Sequence, residues 1–418
     1  MKSYQKKESK VKESIAILDQ EKLLGTAAGG LLNLSIELGF EVMRQMLELD
    51  VEALAGKKGQ HDRNRTAYRH GSEPTKVVLG GEKRSVDKPR VRSLSGAELP
   101  LPSLTQFQNE DSLSQAVLAK LLRGVSTRKY AGTTDHPSPD SACTSKSEIS
   151  RRFIAGLEPL VAEFLGRKLE DDYPVIMIDG MNIGQMTVLA AMGIKNDGAK
   201  QMLGVIEGAS ENHLVANALL ADLTGRGLAA DAPRLFVLDG GKALHKAVTD
   251  AFGKYAVIQR CQVHKKRNVL SHLPKSEQTN VGLAISRAYL EFDYENAKKE
   301  LSLIAANLEH RYPKAASSLL EGLEETLTVH QLEVPALLRQ TLCTTNPMES
   351  ANSVCMGIVR RIKKWKNGEM ILRNIAAGFM EAEKSFRRIK GYKQIPILTS
   401  SLFSFLKLDG EKNTTQSA

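Results

Sequence analysis

The spacing of apolar positions predicts helices and one hairpin in the first part of the chain. Between residues 23 and 54, apolar positions recur at helical spacing with interrupting glycines, which predicts a pair of helices. Residues 56–73 are basic and polar and predict a turn-rich link, which is either a solvated loop or an arm that contacts phosphates. Residues 75–79 and 83–92 flank Gly80-Gly81 and predict a small β-hairpin.

Two further helices precede the middle of the chain. Apolar periodicity predicts one helix over 113–122, and residues 145–154 begin with a capping arrangement because Ser145 lies three residues before Glu148. Together they predict a helix-turn-helix-like DNA-binding region over 101–165, after an N-terminal region of residues 1–100. An ordinary charged surface helix is the alternative interpretation. The basic side chains predicted to face DNA are Lys146, Arg151 and Arg152.

From Pro174 the pattern becomes mixed. Three β-prone runs are followed by a helix, a strand, a helix and another strand, an order typical of the ribonuclease-H-like fold. In that fold the first and fourth strands lie side by side and parallel, about 4.8 Å apart. Asp179 and Asp239 end these two strands, so they are predicted to bind one or two divalent ions between them. The predicted strands cover residues 175–178, 186–194, 201–207, 235–238 and 256–258.

The rest of the chain is predicted to be helical. Residues 273–340 show helical periodicity without a strand signal and predict an all-helical insertion. The predicted fold class is therefore α/β: a ribonuclease-H-like catalytic core with this insertion, preceded by a mainly helical DNA-binding region with a small β-hairpin. The two parts of the core are assigned to 166–272 and 341–395, and residues 396–418 form a tail.

Glu349 begins another predicted helix, with Asn346 as its N-cap and Pro347 at its first position. Its carboxylate can cap this helix, or it can join the two aspartates as a third metal-binding acid. Basic residues continue along the same helical face for about 20 Å, enough to follow a DNA backbone. A solvated basic face is the alternative. These basic residues are Arg360, Lys363 and Lys364.

Three carboxylates suit phosphodiester chemistry. Two Mg²⁺ (or Mn²⁺) ions about 3.5 to 4 Å apart activate the attacking hydroxyl and stabilise the leaving oxygen. Because Mg²⁺ prefers oxygen ligands, we expect Asp179, Asp239 and Glu349 to hold two such ions in each active site.

Cys261 and His264 have the C-x-x-H spacing of zinc ligands. They supply only two of the four ligands that a closed zinc site requires, so a structural role near the active site is the preferred interpretation. The basic residues that follow, including Lys265 and Arg267, are predicted to contact phosphate.

Composition narrows the class of protein. The chain has 58 basic and 48 acidic residues in 418, a net charge of +10, which fits a polyanionic partner but is shared by other basic proteins. Its four cysteines lack paired spacing, which favours a reducing compartment. No apolar run approaches the roughly 18 residues of a membrane span, and no signal peptide is evident. We expect a cytoplasmic, nucleoid-associated bacterial protein.

Several motifs together resemble one family, the Mutator-type transposases of bacterial insertion sequences, which belong to the DDE class. The resemblance extends from Leu31 to Pro396, because DVEALAGKKGQHDRNRTAYRHGSE and LPLPS are similar to that family's N-terminal region. The five ordered motifs of the second half are VIMIDGMNI, RLFVLDGGKALHKAV, QRCQVHKKRNVLSHLP, TTNPMES and RRIKKWKNGEM.

The resemblance implies roles for individual residues. Asp179, Asp239 and Glu349 correspond to the first, second and third acids of the triad, and Cys261 and His264 to the family's Cys-x-x-His element. It also implies a helical insertion before the glutamate and a helix-turn-helix that recognises terminal inverted repeats. The implied reaction is hydrolytic cleavage followed by strand transfer.

The predicted function is that of a DNA transposase that binds the terminal inverted repeats of an insertion sequence and performs metal-dependent cleavage and strand transfer. Its partner is double-stranded DNA, as element ends and as target, and not a membrane. Because two ends must meet, we expect a homodimer or larger synaptic complex. The alternatives are a DNA-binding regulator or decayed copy without catalytic activity, and a nuclease or Holliday-junction resolvase of the same fold.

Overall fold

The computed structural model forms two compact units, Met1–Gly156 and Leu157–Ala418. The predicted beginning of the first helix, before Gly30, lies outside the described residues. None of the described helices is both long and apolar enough to cross a membrane. The residues that the structure describes are 30–60, 64–79, 82–108, 111–133, 145–208 and 212–415.

The first unit contains helices and an antiparallel three-stranded sheet, in which β1 pairs with β2 and β2 with β3. The last helix, α4, continues into the second unit. The elements are α1 (Gly30–Ala55), β1 (Ala67–Leu79), β2 (Glu82–Ser93), β3 (Glu98–Leu99), α2 (Pro102–Gln108), α3 (Asp111–Leu122) and α4 (Lys146–Gly166), with a 3₁₀ turn at Ala131–Thr133.

Helix α1 is continuous through Gly39, so the predicted pair of helices is wrong over the described residues. Phe40, Met43 and Leu47 recur at helical spacing and are buried in the core of this unit. Their burial outweighs the cost of about 1 kcal/mol that a glycine imposes on a helix interior.

The sheet is larger than the predicted hairpin, because β1 begins at Ala67, within the segment expected to be a turn-rich link. Ion pairs across the strands compensate for the low apolar content of this segment. Lys88 Nζ lies 2.6 Å from the Glu73 carboxylate, and Arg90 Nη2 lies 2.6 Å from that of Glu98. Polar side chains thus stabilise a sheet that apolar alternation alone does not reveal.

The helices α3 and α4 confirm the predicted helical segments. Ser145 Oγ accepts a hydrogen bond from the Glu148 backbone N–H at 3.3 Å, as the capping pattern predicts. Helix α4 runs beyond residue 154 to Gly166. The connection from α3 to α4 covers residues 123–145, far longer than the short turn of a compact helix-turn-helix. A helix-turn-helix here stays a prediction.

The second unit begins with a mixed five-stranded sheet and ends with long helices. Its first elements are β4 (Val175–Ile183), β5 (Met186–Ile194), β6 (Lys200–Gly208), α5 (His213–Gly225), β7 (Arg234–Leu238), α6 (Lys242–Phe252), β8 (Ala256–Arg260) and α7 (Gln262–Ser271). The fully described segment 273–340 is helical, as predicted: α8 (Lys275–Leu290), α9 (Tyr294–Glu309), α10 (Pro313–Leu320), α11 (Leu323–Thr326), α12 (Thr328–Gln331) and α13 (Ala336–Leu342). The last elements are α14 (Asn346–Val359), α15 (Gly368–Glu383) and α16 (Ile395–Thr415), with 3₁₀ turns at Gly253–Tyr255 and Tyr392–Gln394.

The strand order of this sheet is β6-β5-β4-β7-β8. Strands β4, β5 and β6 are antiparallel, whereas β4, β7 and β8 are parallel, so the first and fourth strands are adjacent and parallel as predicted. Helices α5 and α6 contribute to one core with the sheet, while α14 lies against β4 and α15 against β6. The insertion has its own apolar core.

The prediction that Asp179 ends the first strand is wrong. Strand β4 continues to Ile183 because its second half pairs with β5, and the turn falls at Gly184, whose φ is 64°. Asp179 therefore lies inside a strand and not at its end. The parallel pairing with β7 nevertheless stops at Ile178↔Leu238, so Asp179 and Asp239 occupy the positions directly after the last parallel pair.

The predicted C-terminal tail is also corrected by the structure. Helix α16 starts at Ile395 and continues to Thr415. Ile395, Leu398 and Leu402 recur at helical spacing and are fully buried, and α16 lies against β7. The tail is therefore anchored to the second unit over at least its first two turns.

Candidate active site

Asp179 is a buried acid, with only 7% of its surface exposed. Its Oδ2 accepts a hydrogen bond of 2.9 Å from Asn352 Nδ2. Burial, which is the largest cause, and the negative charges of Asp239 and Glu349 together raise the pKa of Asp179 to about 6, although the nearby His264 acts to lower it. The three predicted acids are therefore close enough for two of them to act electrostatically on the third.

Asp239 follows β7 and is held by a tight turn. Its Oδ1 accepts a hydrogen bond of 3.0 Å from the Gly241 backbone N–H. Gly240 has a φ of 100°, and a Cβ there would lie 2.1 Å from Arg260 Nε. Arg260 in turn donates to the Glu321 carbonyl oxygen at 3.2 Å. The turn beside Asp239 is thus packed against a side chain that is tied to the helical insertion.

Glu349 lies in the first turn of α14. The helix begins at Asn346 with Thr345 as the residue before it, so the prediction that Asn346 is the N-cap is wrong. The Glu349 Oε1 lies 3.6 Å from His264 Nε2 and 3.6 Å from Arg267 Nη1. These distances are ion-pair distances and too long for hydrogen bonds. The carboxylate oxygen faces α7, which does not support the capping alternative.

Cys261 and His264 connect the start of α7 to the start of α14. The Thr345 backbone N–H donates to Cys261 Sγ at 3.4 Å, and Thr345 Oγ1 lies 3.4 Å from His264 Nδ1. Burial acts to raise the pKa of Cys261, but hydrogen bonds from His264 and Thr345 outweigh burial and lower it. The hydrogen bond with Cys261 raises the pKa of His264. This network links α7 to the helix start that carries Glu349, and the structural role of Cys261 and His264 stays a prediction.

A closed metal cage is not preformed. Within the described ranges, no three His, Cys, Asp or Glu side chains come close enough to hold a metal ion together. The acids are brought to one region by β4, β7 and α14, but they are not assembled at ligand distances. The predicted two-ion site stays a prediction.

Asn352 is a site residue that the sequence reasoning missed. It lies three positions after Glu349 on α14, which puts both residues on the same helical face. This spacing in the sequence could have indicated that Asn352 lies beside Glu349 in the site. Its Oδ1 is buried and has no hydrogen-bond partner among the described residues, although its Nδ2 holds Asp179.

We predict that Asn352 positions Asp179. Asn352→Ala removes the hydrogen-bond donor, so we expect the rate of the predicted DNA-strand cleavage to fall by about tenfold or more, since hydrogen bonds to charged groups contribute about 1.5 to 3 kcal/mol. Cleavage rates at a series of pH values provide the measurement, because losing a donor to the carboxylate shifts the acidic limb upward. Asn217→Ala on α5 is the control. An unchanged rate and profile in Asn352→Ala would contradict this role.

Lys265 is buried, so the structure does not present it to DNA and the prediction for that residue is wrong. Its side chain is 0% exposed, and its Nζ donates to the carbonyl oxygens of Ser318, at 2.7 Å, and of Glu321. Burial lowers its pKa to about 8. Its neighbour Arg267 is 61% exposed on its side chain and stays available.

The predicted basic line after Glu349 is also wrong as a helical line, because α14 ends at Val359. Arg361 Nε donates to the Ile358 carbonyl oxygen at 3.2 Å and so helps to end the helix. The following lysines lie on a loop. The predicted DNA-contacting residues Arg360, Lys363 and Lys364 are all exposed.

The predicted DNA-facing residues of α4 differ in exposure. Lys146 and Arg151 are exposed, although Arg151 lies 3.0 Å from the Glu148 carboxylate. Arg152 has a side chain only 12% exposed and lies 2.8 Å from the same carboxylate. The structure therefore does not present Arg152 to DNA, and the prediction for that residue is wrong.

Comparison with known proteins gives consistent matches over most of the chain. The family model described as "Transposase, Mutator family" matches residues 7–389. The "Transposase for insertion sequence element ISRM5" of Rhizobium meliloti (strain 1021) is 28% identical over 363 residues, covering 84% of this chain and 88% of that protein. The "Transposase for insertion sequence element IS256 in transposon Tn4001" of Staphylococcus aureus is 27% identical over 352 residues, covering 81% and 87%. A Mycolicibacterium smegmatis protein, "Transposase for insertion sequence element IS6120", is 29% identical over 245 residues, covering 57% and 74%.

Proposed function

Because the chain belongs to the Mutator family of transposases, we propose that it is a DNA transposase of the DDE class with Asp179, Asp239 and Glu349 as its catalytic acids. The observation that carries this proposal is the convergence of charge on Asp179, a buried carboxylate whose pKa is raised by burial, by Asp239 and by Glu349. Three acids from distant parts of the chain act on one point, as phosphodiester chemistry requires.

We infer a ribonuclease-H-like core for the second unit. The support is the strand order β6-β5-β4-β7-β8, with three antiparallel strands followed by two parallel ones. In this arrangement Asp179 and Asp239 directly follow the last parallel pair of β4 and β7, Ile178↔Leu238. Helix α14 lies against β4, and Glu349 in its first turn is near enough to Asp179 to act on its pKa.

The donor set fits a hard divalent cation. Three carboxylates are the ligands that Mg²⁺ and Mn²⁺ prefer, and the buried Glu349 Oε1 lacks a hydrogen-bond partner among the described residues. Asp179, Asp239 and Glu349 would hold two such ions. When bound, these ions activate an attacking hydroxyl and stabilise the leaving oxygen of the phosphodiester.

The surrounding residues orient the acids. Asn352 fixes the Asp179 carboxylate through its hydrogen bond, and the Gly241 N–H fixes that of Asp239. His264 and Arg267 face Glu349 and balance its charge until it is needed as a ligand. Each of the three carboxylates is thus positioned by its own neighbouring groups.

The substrate is double-stranded DNA, as element ends and as target. We propose that exposed cations of both units contact its phosphates, that the first unit reads the terminal inverted repeats, and that a homodimer or larger synaptic complex joins two ends. The site of action is then the bacterial nucleoid. The exposed cations are Lys146, Arg151, Arg267, Arg360, Lys363 and Lys364.

The test uses Asp239→Asn and a labelled fragment of the element end. In Mg²⁺ or Mn²⁺, the wild type is expected to yield 3′-hydroxyl ends and joined products. Asp239→Asn is expected to lose both by at least about a thousandfold and to bind DNA as the wild type does. Asp231→Asn, an exposed acid, is the matched control.

Three outcomes would contradict the proposal, and each would contradict a different part of it. Retained cleavage by Asp239→Asn excludes this residue as a catalytic acid. Cleavage without joined products in the wild type indicates a nuclease or resolvase. Binding without nicks in any metal indicates a regulator or an inactive copy.

A further inference from the structure

A cavity of about 360 Å³ lies between α7, α8 and α13, and none of the three proposed catalytic acids lines it. Gln262, Val263 and Lys266 line it from α7, and His264 and Arg267 of the same helix approach Glu349. Helix α7 therefore contributes side chains both to the cavity and to the candidate active site.

Two cations line this cavity, and no carboxylate does. Lys266 Nζ donates to Ser286 Oγ at 3.0 Å, and Arg339 Nη1 donates to the Phe292 carbonyl oxygen at 2.9 Å. Neither cation forms an ion pair with a carboxylate in the part of the chain that the structure describes. Both carry their charge into the cavity without a protein counter-ion.

Arg339 is the cation for which the missing carboxylate is energetically most unfavourable. It is only 8% exposed, and burial lowers its pKa, since a charged group is poorly solvated there. Cys343 also lines the cavity, but burial raises its pKa to about 12, so its thiol is neutral and supplies no negative charge. Arg339 has the Phe292 carbonyl oxygen as a hydrogen-bond acceptor and the Phe292 ring 5.3 Å from its Cζ, but no carboxylate balances its charge in the described part of the chain. A buried cation without a counter-ion is unfavourable, which points to an anion supplied from outside the chain.

We propose that this cavity binds a phosphate group of the DNA strand near the reacting phosphodiester. The proposal rests on the proposed function, because it takes the anion from the DNA substrate. Arg339 presents a planar fork that suits two phosphate oxygens, and Lys266 adds a second charge. Gln340 and Ser286 supply further polar groups.

The position of the cavity favours a nucleotide close to the cleavage point. The Gln262 backbone N–H donates to the Cys343 carbonyl oxygen at 2.9 Å, which joins two walls of the cavity. Cys261, which precedes Gln262, accepts a hydrogen bond from the Thr345 backbone N–H, and Thr344, which follows Cys343, accepts one from the Asn346 backbone N–H. Both contacts are at the start of α14, the helix that carries Glu349. The cavity volume is at the lower end of the range for small-ligand pockets, enough for a phosphate with part of its nucleotide.

The experiment measures DNA binding by Lys266→Gln and Arg339→Gln in the full chain. Fragments of the element end carry one neutral methylphosphonate each, moved along the strand. At one position other than the scissile phosphate, we expect the methylphosphonate to weaken DNA binding by the wild type about tenfold or more. At the same position, it should not change DNA binding by either variant. The slope of log affinity against log salt concentration should fall by about 0.9 in each.

Lys299→Gln is the matched control, because Lys299 is an exposed cation of α9 in the same insertion. It is expected to keep the wild-type methylphosphonate pattern. If Arg339→Gln does not fold, as judged by thermal melting, the half-buried Lys266 provides the deciding variant. A wild-type interference pattern and salt slope in Lys266→Gln would overturn the proposal.

A second arm distinguishes DNA from a free nucleotide. Inorganic phosphate and deoxyadenosine monophosphate are titrated into the wild type and Lys266→Gln by calorimetry. Tight binding of the mononucleotide that Lys266→Gln abolishes, together with an unchanged DNA salt slope, would overturn the DNA assignment. These binding measurements need no cleavage, so their failure is distinct from failure of the catalytic test on Asp239→Asn.

Discussion

Asp179→Asn is expected to abolish strand cleavage and, in metal-free buffer, to make the protein more stable. The carboxylate is buried, and burial together with Asp239 raises its pKa from 3.8 to about 6. Its ionisation at neutral pH therefore costs folding free energy, up to about 3 kcal/mol. Asparagine removes that charge and keeps an oxygen that can accept from Asn352.

The sign of the pH dependence follows from the direction of this shift. Between pH 3.8 and about 6 the folded state binds more protons at Asp179 than the unfolded state does, so wild-type stability falls as pH rises through this window. The advantage of Asp179→Asn should be complete above pH about 6 and disappear below about 4. Thermal melting of both proteins in EDTA, at pH values from below 4 to above 6, measures this difference in stability.

Added Mn²⁺ should reverse the order of stability, because a cation stabilises only the protein that holds it. Asp231→Asn, which changes an exposed acid, should melt with the wild type at every pH. An Asp179→Asn protein that melts below the wild type at pH 7.5 in EDTA, or that still cleaves, would contradict the assignment of Asp179.

Gly240→Ala is expected to reduce cleavage by at least about a hundredfold and stability by about 2 to 4 kcal/mol. Gly240 has a φ of 100°, and a Cβ there would lie 2.1 Å from Arg260 Nε. Arg260 cannot retreat freely, because its Nη1 donates to the Glu321 carbonyl oxygen at 3.2 Å and its Nη2 lies 3.4 Å from the Glu321 carboxylate. The added methyl group must therefore move the turn that holds Asp239.

Gly253→Ala is a control that distinguishes the steric clash with Arg260 from the conformational cost of alanine at a positive φ. Gly253 also has a positive φ, 52°, but no atom lies within 4 Å of its Cβ position. It should lose about 1 kcal/mol of stability and keep its cleavage activity. Cleavage assays and thermal melts of both variants are the measurement. Equal activity losses in the two would show that Arg260 contact is irrelevant to the position of Asp239.

Local patterns in the sequence predict most elements of the second unit. The alternation and turn signals of β5 predict Met186–Ile194 as the structure has it. The extension of β4 beyond Asp179 depends on pairing with β5, which no local pattern contains. The long β1 depends likewise on ion pairs with β2, such as Lys88 with Glu73. Contacts between distant segments decide these features.

The candidate site was predictable to a similar degree. Asp179 and Asp239 follow from strand order, and Glu349 from its motif, because each is tied to an element that the sequence predicts. Lys265 was misjudged because its basic neighbours indicate a solvated surface, whereas α10 and the residue after it provide the carbonyl groups that bury it. That approach of the insertion to α7 is a tertiary contact without a local signal.

The central claim is that Asp179, Asp239 and Glu349 together bind the catalytic cations. The most direct measurement is diffraction at the manganese absorption edge from crystals of the protein with Mn²⁺ and a fragment of the element end. We predict anomalous peaks between Asp179 and Asp239, with Glu349 turned away from His264 and Arg267 to complete the site. Peaks at other residues only, or Glu349 still paired with His264 and Arg267 beside bound DNA and Mn²⁺, would contradict the account.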